Sequence, residues 1–195
     1  ALVCAGAECT SNNGYLPFKI SGGVKNHNIE FSGKESSQIV SGFLMMLPLL
    51  EHNSTLTILN PTSLPYIELT LRTLKWFGIE IGVKENSDNN SDGITSITYC
   101  IKGNQQYKPA KVYLDSDWSS AAYFAVVGAL CNGVTLKNMP LKSAQADEAI
   151  INLLGIYGAD VKVVKENGDL KDIYISPISN NPFNVEFNLT NSPDL

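Results

Sequence analysis

The chain repeats its own order of elements. From Ser36, Ser-Ser-Gln opens an apolar helical run to about Leu50. A β-rich stretch, Thr55–Leu59, follows, and Ser63-Leu-Pro-Tyr66 opens a second helix that ends at Trp76-Phe-Gly78. Ile79–Lys84 and Ile94–Ile101 then alternate as strands around the polar hairpin turn Glu85–Gly93, a turn and not a linker. From Ser119 the order recurs. Ser-Ser-Ala-Ala-Tyr-Phe opens an apolar helix to about Leu130, Gly133–Leu136 reads as a strand, and Ser143 opens a helix ending at Ile156-Tyr-Gly158. Ala159–Val164 and Asp172–Ile175 follow as strands around Glu166-Asn-Gly168. Ser37 and Ser120 are 83 residues apart, Ser63 and Ser143 are 80 apart, and Gly78 and Gly158 are 80 apart. A period near 80 residues exceeds that of stacked solenoid repeats and points to duplicated α/β folding units.

The second helix of each copy is amphipathic: Ile67, Leu71, Leu74 and Phe77 share one face, as do Ile150, Leu153, Leu154 and Tyr157. Gly78 and Gly158 suit the left-handed position just past a helix end. The first helix of each copy is apolar almost all round, which predicts burial on every side at the centre of a larger bundle. Tyr15–Ser21 and Val24–Phe31 are expected as strands before copy one, and Ala110–Leu114 before copy two. The opening Ala1–Ala7 reads as the end of a helix and the turn after it, so the first residue is not expected to be a natural start.

Composition narrows the function classes. No apolar run reaches the roughly 20 residues of a membrane span; the longest, around Ile39–Leu50, is broken by Ser41, Gly42 and Pro48. A net charge of −5 with scattered lysines argues against a nucleic-acid groove. The single arginine, Arg72, leaves little for bidentate recognition of carboxylate or phosphate. Cys4, Cys9, Cys100 and Cys131 show no Cys-x-x-Cys spacing, and His27 and His52 stand apart from them. Neither a metal site nor a cofactor is expected. Free thiols fit a reducing, cytoplasmic setting.

The helix starts carry the candidate chemistry. A helix N-terminus presents unpaired N–H groups and a positive partial charge. Ser36 and Ser37 at the start of an apolar helix, and Ser63 just before Pro65, suit a phosphate cradle; the same residues also suit plain N-capping. Gln38 has an amide able to donate to an anion, and Tyr66 beside Pro65 has a ring able to cover a ligand; either also fits a local structural role.

These residues, with their spacing, resemble the EPSP synthase (3-phosphoshikimate 1-carboxyvinyltransferase) family. Ser36-Ser37-Gln38-Ile-Val-Ser-Gly-Phe-Leu-Met-Met-Leu-Pro48 is similar to its Ser-Ser-Gln helix. Pro65-Tyr66-Ile-Glu-Leu-Thr-Leu-Arg-Thr-Leu-Lys-Trp-Phe-Gly78 resembles its Pro-Tyr-x-x-x-Thr-Leu helix, and Ser116-Asp117-Trp118-Ser119-Ser120-Ala-Ala-Tyr123-Phe124 its crossing between lobes. The resemblance covers the whole chain and implies an α/β (α+β) fold of repeated βαβαββ units, the inside-out α/β barrel of enolpyruvyl transferases, here incomplete. It implies that residues 1–115 belong to the N-terminal lobe and 116–195 to the first part of the C-terminal lobe.

By the same resemblance, Ser36, Ser37 and Ser63 hold the phosphate of shikimate 3-phosphate, and Tyr66 lines that site. Gln38 reaches toward both shikimate and phosphoenolpyruvate. Asp194 of Pro193-Asp194 contacts the shikimate ring and takes part in proton transfer, a role suited to a carboxylate beside a reacting hydroxyl. The implied partners are the two substrates and the remainder of the enzyme or a larger multifunctional chain, with no nucleic acid and no membrane. Leu64 stands where the family has lysine, Ser32-Gly33-Lys34-Glu35 where it has an aspartate before the turn, and Ser116 where it has glycine. The family's other phosphoenolpyruvate-binding segments have no counterpart in the sequence, so this chain alone is expected to bind weakly and not to turn over. Two other readings stand beside this one: a non-catalytic phospho-ligand module, and a relative of the transferase acting on UDP-N-acetylglucosamine.

Overall fold

A computed structural model describes residues 1–34, 36–87, 94–179 and 185–195. Glu35 and most of the expected turn before Gly93 lie outside the described residues. The chain divides into two compact units, Ala1–Lys111 and Val112–Leu195.

The first unit opens with a helical turn. Ala7 N–H donates to the Leu2 carbonyl at 3.1 Å and Gly6 N–H to the Val3 carbonyl at 2.9 Å. With Gly6 at φ +89°, this is the bonding of a helix C-terminus. A hairpin follows, β1 (Glu8–Asn12) against β2 (Tyr15–Ser21). The alternation of the hairpin was legible only in β2; β1 is too polar to stand out.

The body of the unit is one complete βαβαββ motif: β3 (Asn28–Ser32), α1 (Ser37–Met46), β4 (Ser54–Leu59), α2 (Leu64–Trp76), β5 (Ile81–Ser87) and β6 (Ile94–Ile101). The strand order is β3-β4-β6-β5, with β3 and β4 parallel and the other pairs antiparallel. Pro48 ends α1 in a short 3-10 turn, Leu47–Leu49, because its ring cannot continue the helix. Val40, Leu44, Leu56, Ile58, Ile67, Leu74 and Tyr99 form the buried core between helices and sheet. Burial, with Glu68 and Glu85 nearby, pushes the Tyr99 phenol up to about 12.

Among the described residues the second unit shows one strand fewer than the same motif. It contains α3 (Trp118–Leu130), β7 (Val134–Pro140), a 3-10 turn at Ala146–Ala149 running into α4 (Ile150–Ile156), β8 (Val161–Asn167) and β9 (Leu170–Ile175). Its sheet order is β7-β9-β8. The strand expected over Ala110–Leu114 does not form: these residues make no ladder, and Tyr113 and Leu114 are exposed. An alternating sequence needs a neighbouring edge to accept its N–H groups before it becomes a strand.

The helix expected from Ser143 begins later, because Ser143 turns its hydroxyl to the N–H of Gln145, and Gln145 is itself still extended. Nor is α3 buried on every side. Its small face, Ala121, Ala122, Ala125 and Ala129, packs on the sheet side, while Tyr123, Phe124, Val127 and Leu130 are exposed.

Both second helices stop identically. Gly78 and Gly158 have φ of +80° and +97°. Ile79 N–H reaches the Leu74 carbonyl at 3.0 Å, and Ala159 N–H reaches the Leu154 carbonyl at 3.0 Å. Among the described residues no helix is long and apolar enough to cross a membrane, and no cluster of three metal-ligating side chains occurs.

Candidate functional site

Parallel strands leave their helices at one edge. β3 and β4 run side by side in register from Asn28↔Thr55 to Ser32↔Leu59, so α1 and α2 both start beyond the same carboxyl edge of the sheet. Open α/β sheets use that edge for ligands. The two loops leading to the helices are fastened together. Gly33 N–H donates to the Leu59 carbonyl at 2.8 Å, and the Thr62 hydroxyl donates to the Gly33 carbonyl at 2.9 Å. A Cβ on Gly33 would lie 2.4 Å from Ile58 Cγ2 and 3.1 Å from Pro61 Cα. Only glycine lets the loops touch.

Ser36 is the N-cap of α1, in extended backbone, and its hydroxyl accepts the Gln38 N–H at 3.2 Å. Ser37 occupies the first helical position and is buried. Gln38 is exposed. Ser63 is the N-cap of α2 but makes no side-chain cap bond; its backbone sits in the left-handed region at φ +53°, and its side chain is buried. Tyr66 is half-buried on the first turn of α2, its N–H bonded to the Ser63 carbonyl at 3.1 Å. Plain capping therefore accounts for Ser36 and not for Ser63. Neither helix carries an acidic residue in its first turn, the position that most directly opposes anion binding at a helix start.

The fold gathers five of the six expected residues, Ser36, Ser37, Gln38, Ser63 and Tyr66, onto one unit at that edge. Asp194 belongs to the second unit. It is exposed on a turn closed by Leu195 N–H to the Ser192 carbonyl at 3.1 Å. Gly33 and Thr62, which join the loops, escaped sequence reasoning; a glycine directly after a strand was the available signal.

The duplicated position in the second unit is closed. Asp117 caps α3 by accepting the N–H groups of Ser119 at 3.1 Å and Ser120 at 3.2 Å, and also the Ser120 hydroxyl. These bonds, the Ser120 hydroxyl first, hold the Asp117 carboxyl below the usual range. The Ser119 hydroxyl donates to the buried carboxylate of Asp147. Gln145 fastens the approach, accepting Trp118 N–H at 2.8 Å and donating to the Ser116 carbonyl at 2.9 Å. Two carboxylates thus occupy the end of α3 that would attract an anion.

The EPSP synthase (3-phosphoshikimate 1-carboxyvinyltransferase) family profile matches residues 1–195. The chain belongs to the EPSP synthase family. It is 34% identical over 189 residues to a 3-phosphoshikimate 1-carboxyvinyltransferase of Methanococcus maripaludis strain C6, covering 95% of this chain and 41% of that protein. A protein of the same name from Brachyspira hyodysenteriae is 40% identical over 150 residues, 76% of this chain and 33% of that protein. The solved EPSP synthase of Acinetobacter baumannii superposes with a TM-score of 0.56 at 27% identity, over 90% of this chain and 38% of that one. The chain therefore spans less than half the length of these EPSP synthases. The repeated βαβαββ architecture is the EPSP synthase fold.

Proposed function

We propose that this chain supplies the shikimate 3-phosphate site of an enzyme that transfers the enolpyruvyl group of phosphoenolpyruvate to the 5-hydroxyl of shikimate 3-phosphate, releasing phosphate. The observation that carries the reading is the junction at Gly33, which presses two helix starts together beyond the parallel strands. Ser36, Ser37 and Ser63 and the adjacent main-chain N–H groups bind the phosphate, where each charge-assisted bond is stronger than a neutral one. Tyr66 covers the ring of the substrate, and Gln38 extends toward phosphoenolpyruvate.

Asp194 serves the shikimate ring and its proton transfer from the second unit. In this reading residues 1–115 belong to one lobe and 116–195 begin the other, with the remaining substrate contacts supplied by the rest of the enzyme or a larger chain. The free thiols of Cys4, Cys9, Cys100 and Cys131 favour a cytoplasmic setting. Leu64 offers no cation to the phosphate, so affinity depends on the hydroxyls and helix ends.

Calorimetric titration of the protein with shikimate 3-phosphate tests the site. Binding is expected, with Ser37→Ala weakening it by about tenfold or more, the scale of a lost hydrogen bond to a charged group. Affinity unchanged in both Ser37→Ala and Ser63→Ala would remove the reading.

A further inference from the structure

The opposite edge of the same sheet carries a second feature, and it does not depend on the phosphate site. A groove of about 990 Å³ lies in the first unit, within the size range of small-molecule sites. It opens where β3 and β4 begin, at Asn28 and Ser54, away from the carboxyl edge that holds Ser36 and Ser63. Apolar side chains line much of it: Leu71 and Leu74 from α2, Ile79 after that helix, Ile81 from edge strand β5, and Ile101 from β6. Ser54 contributes to the wall. It is buried, and among the described residues its hydroxyl has no hydrogen-bond partner.

The lining also holds neutral polar groups, Asn28, Asn53 and Thr55, and a set of charged ones. Arg72, Lys75 and Lys102 belong to it, against one carboxylate, Glu80. Among the described residues, the ion pairs lie elsewhere, on Lys25, Lys162 and Lys171. Arg72 is the chain's single arginine, and it stands over the Trp76 ring at 5.3 Å, which holds the guanidinium on the exposed side of α2 near the groove. This chain carries a net charge of −5, so three cations with no ion pair among the described residues, lining one apolar trough, run against its general charge.

We infer that this groove binds an amphipathic organic anion, a carboxylate with an extended apolar body, whose headgroup meets Arg72 and Lys75 while its body lies on Ile79, Ile81 and Ile101. An apolar body removes those side chains from water, and a carboxylate headgroup supplies the charge partner that no described carboxylate gives these cations. A neutral apolar ligand lacks the second interaction. A polyanion lacks the first.

The test is an amide-resolved NMR titration of the ¹⁵N-labelled protein, at the full length in which the cell makes it, with decanoate and, separately, decanol. Decanoate is expected to shift the amides of residues 79–83 and 101–102. Decanol is expected to bind about tenfold more weakly, and the double variant Arg72→Gln, Lys75→Gln to weaken decanoate by about tenfold without weakening decanol. Circular dichroism melting of the double variant checks that its fold is intact; if it is not, the single variant Lys75→Gln is used, with a selective loss of several-fold expected. Equal affinity for decanoate and decanol, shifts centred on the exposed face of α3, or no shifts because another part of the protein covers the groove would each overturn the inference. Shikimate 3-phosphate is expected to leave decanoate binding unchanged, so failure of either site is read without the other.

Discussion

The hydroxyls of Ser41 and Thr70 lie 2.8 Å apart across the contact between α1 and α2. Thr70 donates its own proton to the Tyr66 carbonyl at 2.9 Å, so Ser41 is the donor to Thr70. The relay ties the middle of α1 to the first turn of α2, at Tyr66 of the candidate site. Thr70→Val leaves the Ser41 donor without its acceptor and is expected to lower stability by about 1–3 kcal/mol, whereas Ser41→Ala is expected to cost only about 1 kcal/mol. Urea denaturation of the two variants checks the order.

Gly33→Ala places a methyl group 2.4 Å from Ile58 Cγ2. Either the two loops separate or the core shifts, at an expected cost of about 1–3 kcal/mol. Separation also breaks the Gly33–Leu59 bond, so shikimate 3-phosphate affinity is expected to fall although no proposed ligand-binding side chain has changed. Thermal melting and calorimetric titration of the same variant measure both effects.

Ser63 holds a left-handed backbone at φ +53°, a conformation that costs a non-glycine residue about 1 kcal/mol. Ser63→Gly and Ser63→Ala both remove the hydroxyl, but only alanine retains the strain. The glycine variant is expected to be the more stable of the two by about 1 kcal/mol, with both losing phosphate affinity alike. Denaturation and ligand titration performed side by side separate the backbone contribution from that of the hydroxyl.

The Asp117 carboxyl is held below its usual range, chiefly by the Ser120 hydroxyl and then by the two N–H groups of the α3 start. A depressed folded value means that the carboxylate's stabilisation is present above the ordinary range and is lost as pH falls through the lowered value. Ser120→Ala is expected to move the Asp117 midpoint upward, and Asp117→Asn to remove this share of the acid sensitivity. Carboxyl-carbon NMR titration reads the first, and melting temperature against pH reads the second.

The legible parts of the molecule were those written in short sequence windows. Ser36 before an apolar run announced a helix start, and Gly78 and Gly158 announced helix ends, because capping involves neighbours within a few residues. Gly33 was not legible as a contact, since its need for a bare Cα arises from Ile58 and Pro61 on the next loop. The left-handed Ser63 was hidden as well, since a positive φ at a serine has no signature in its neighbouring residues. Asp147 gave no local sign of its bond to the start of α3, because that bond to the Ser119 hydroxyl spans 28 residues. The 110–114 segment misled because alternation records a preference for extended chain and says nothing of whether a neighbour is present.

The matched stops at Gly78 and Gly158 bear on how such a molecule tolerates change. Each fixes the angle at which the chain leaves a helix for its next strand through main-chain bonds, which, apart from the left-handed glycine, do not depend on the identity of the residues between. Sequence drift inside either copy leaves that angle alone, whereas one inserted residue between Leu74 and Ile79, or between Leu154 and Ala159, would rotate everything downstream. A fixed count of residues around one glycine is what the two copies share.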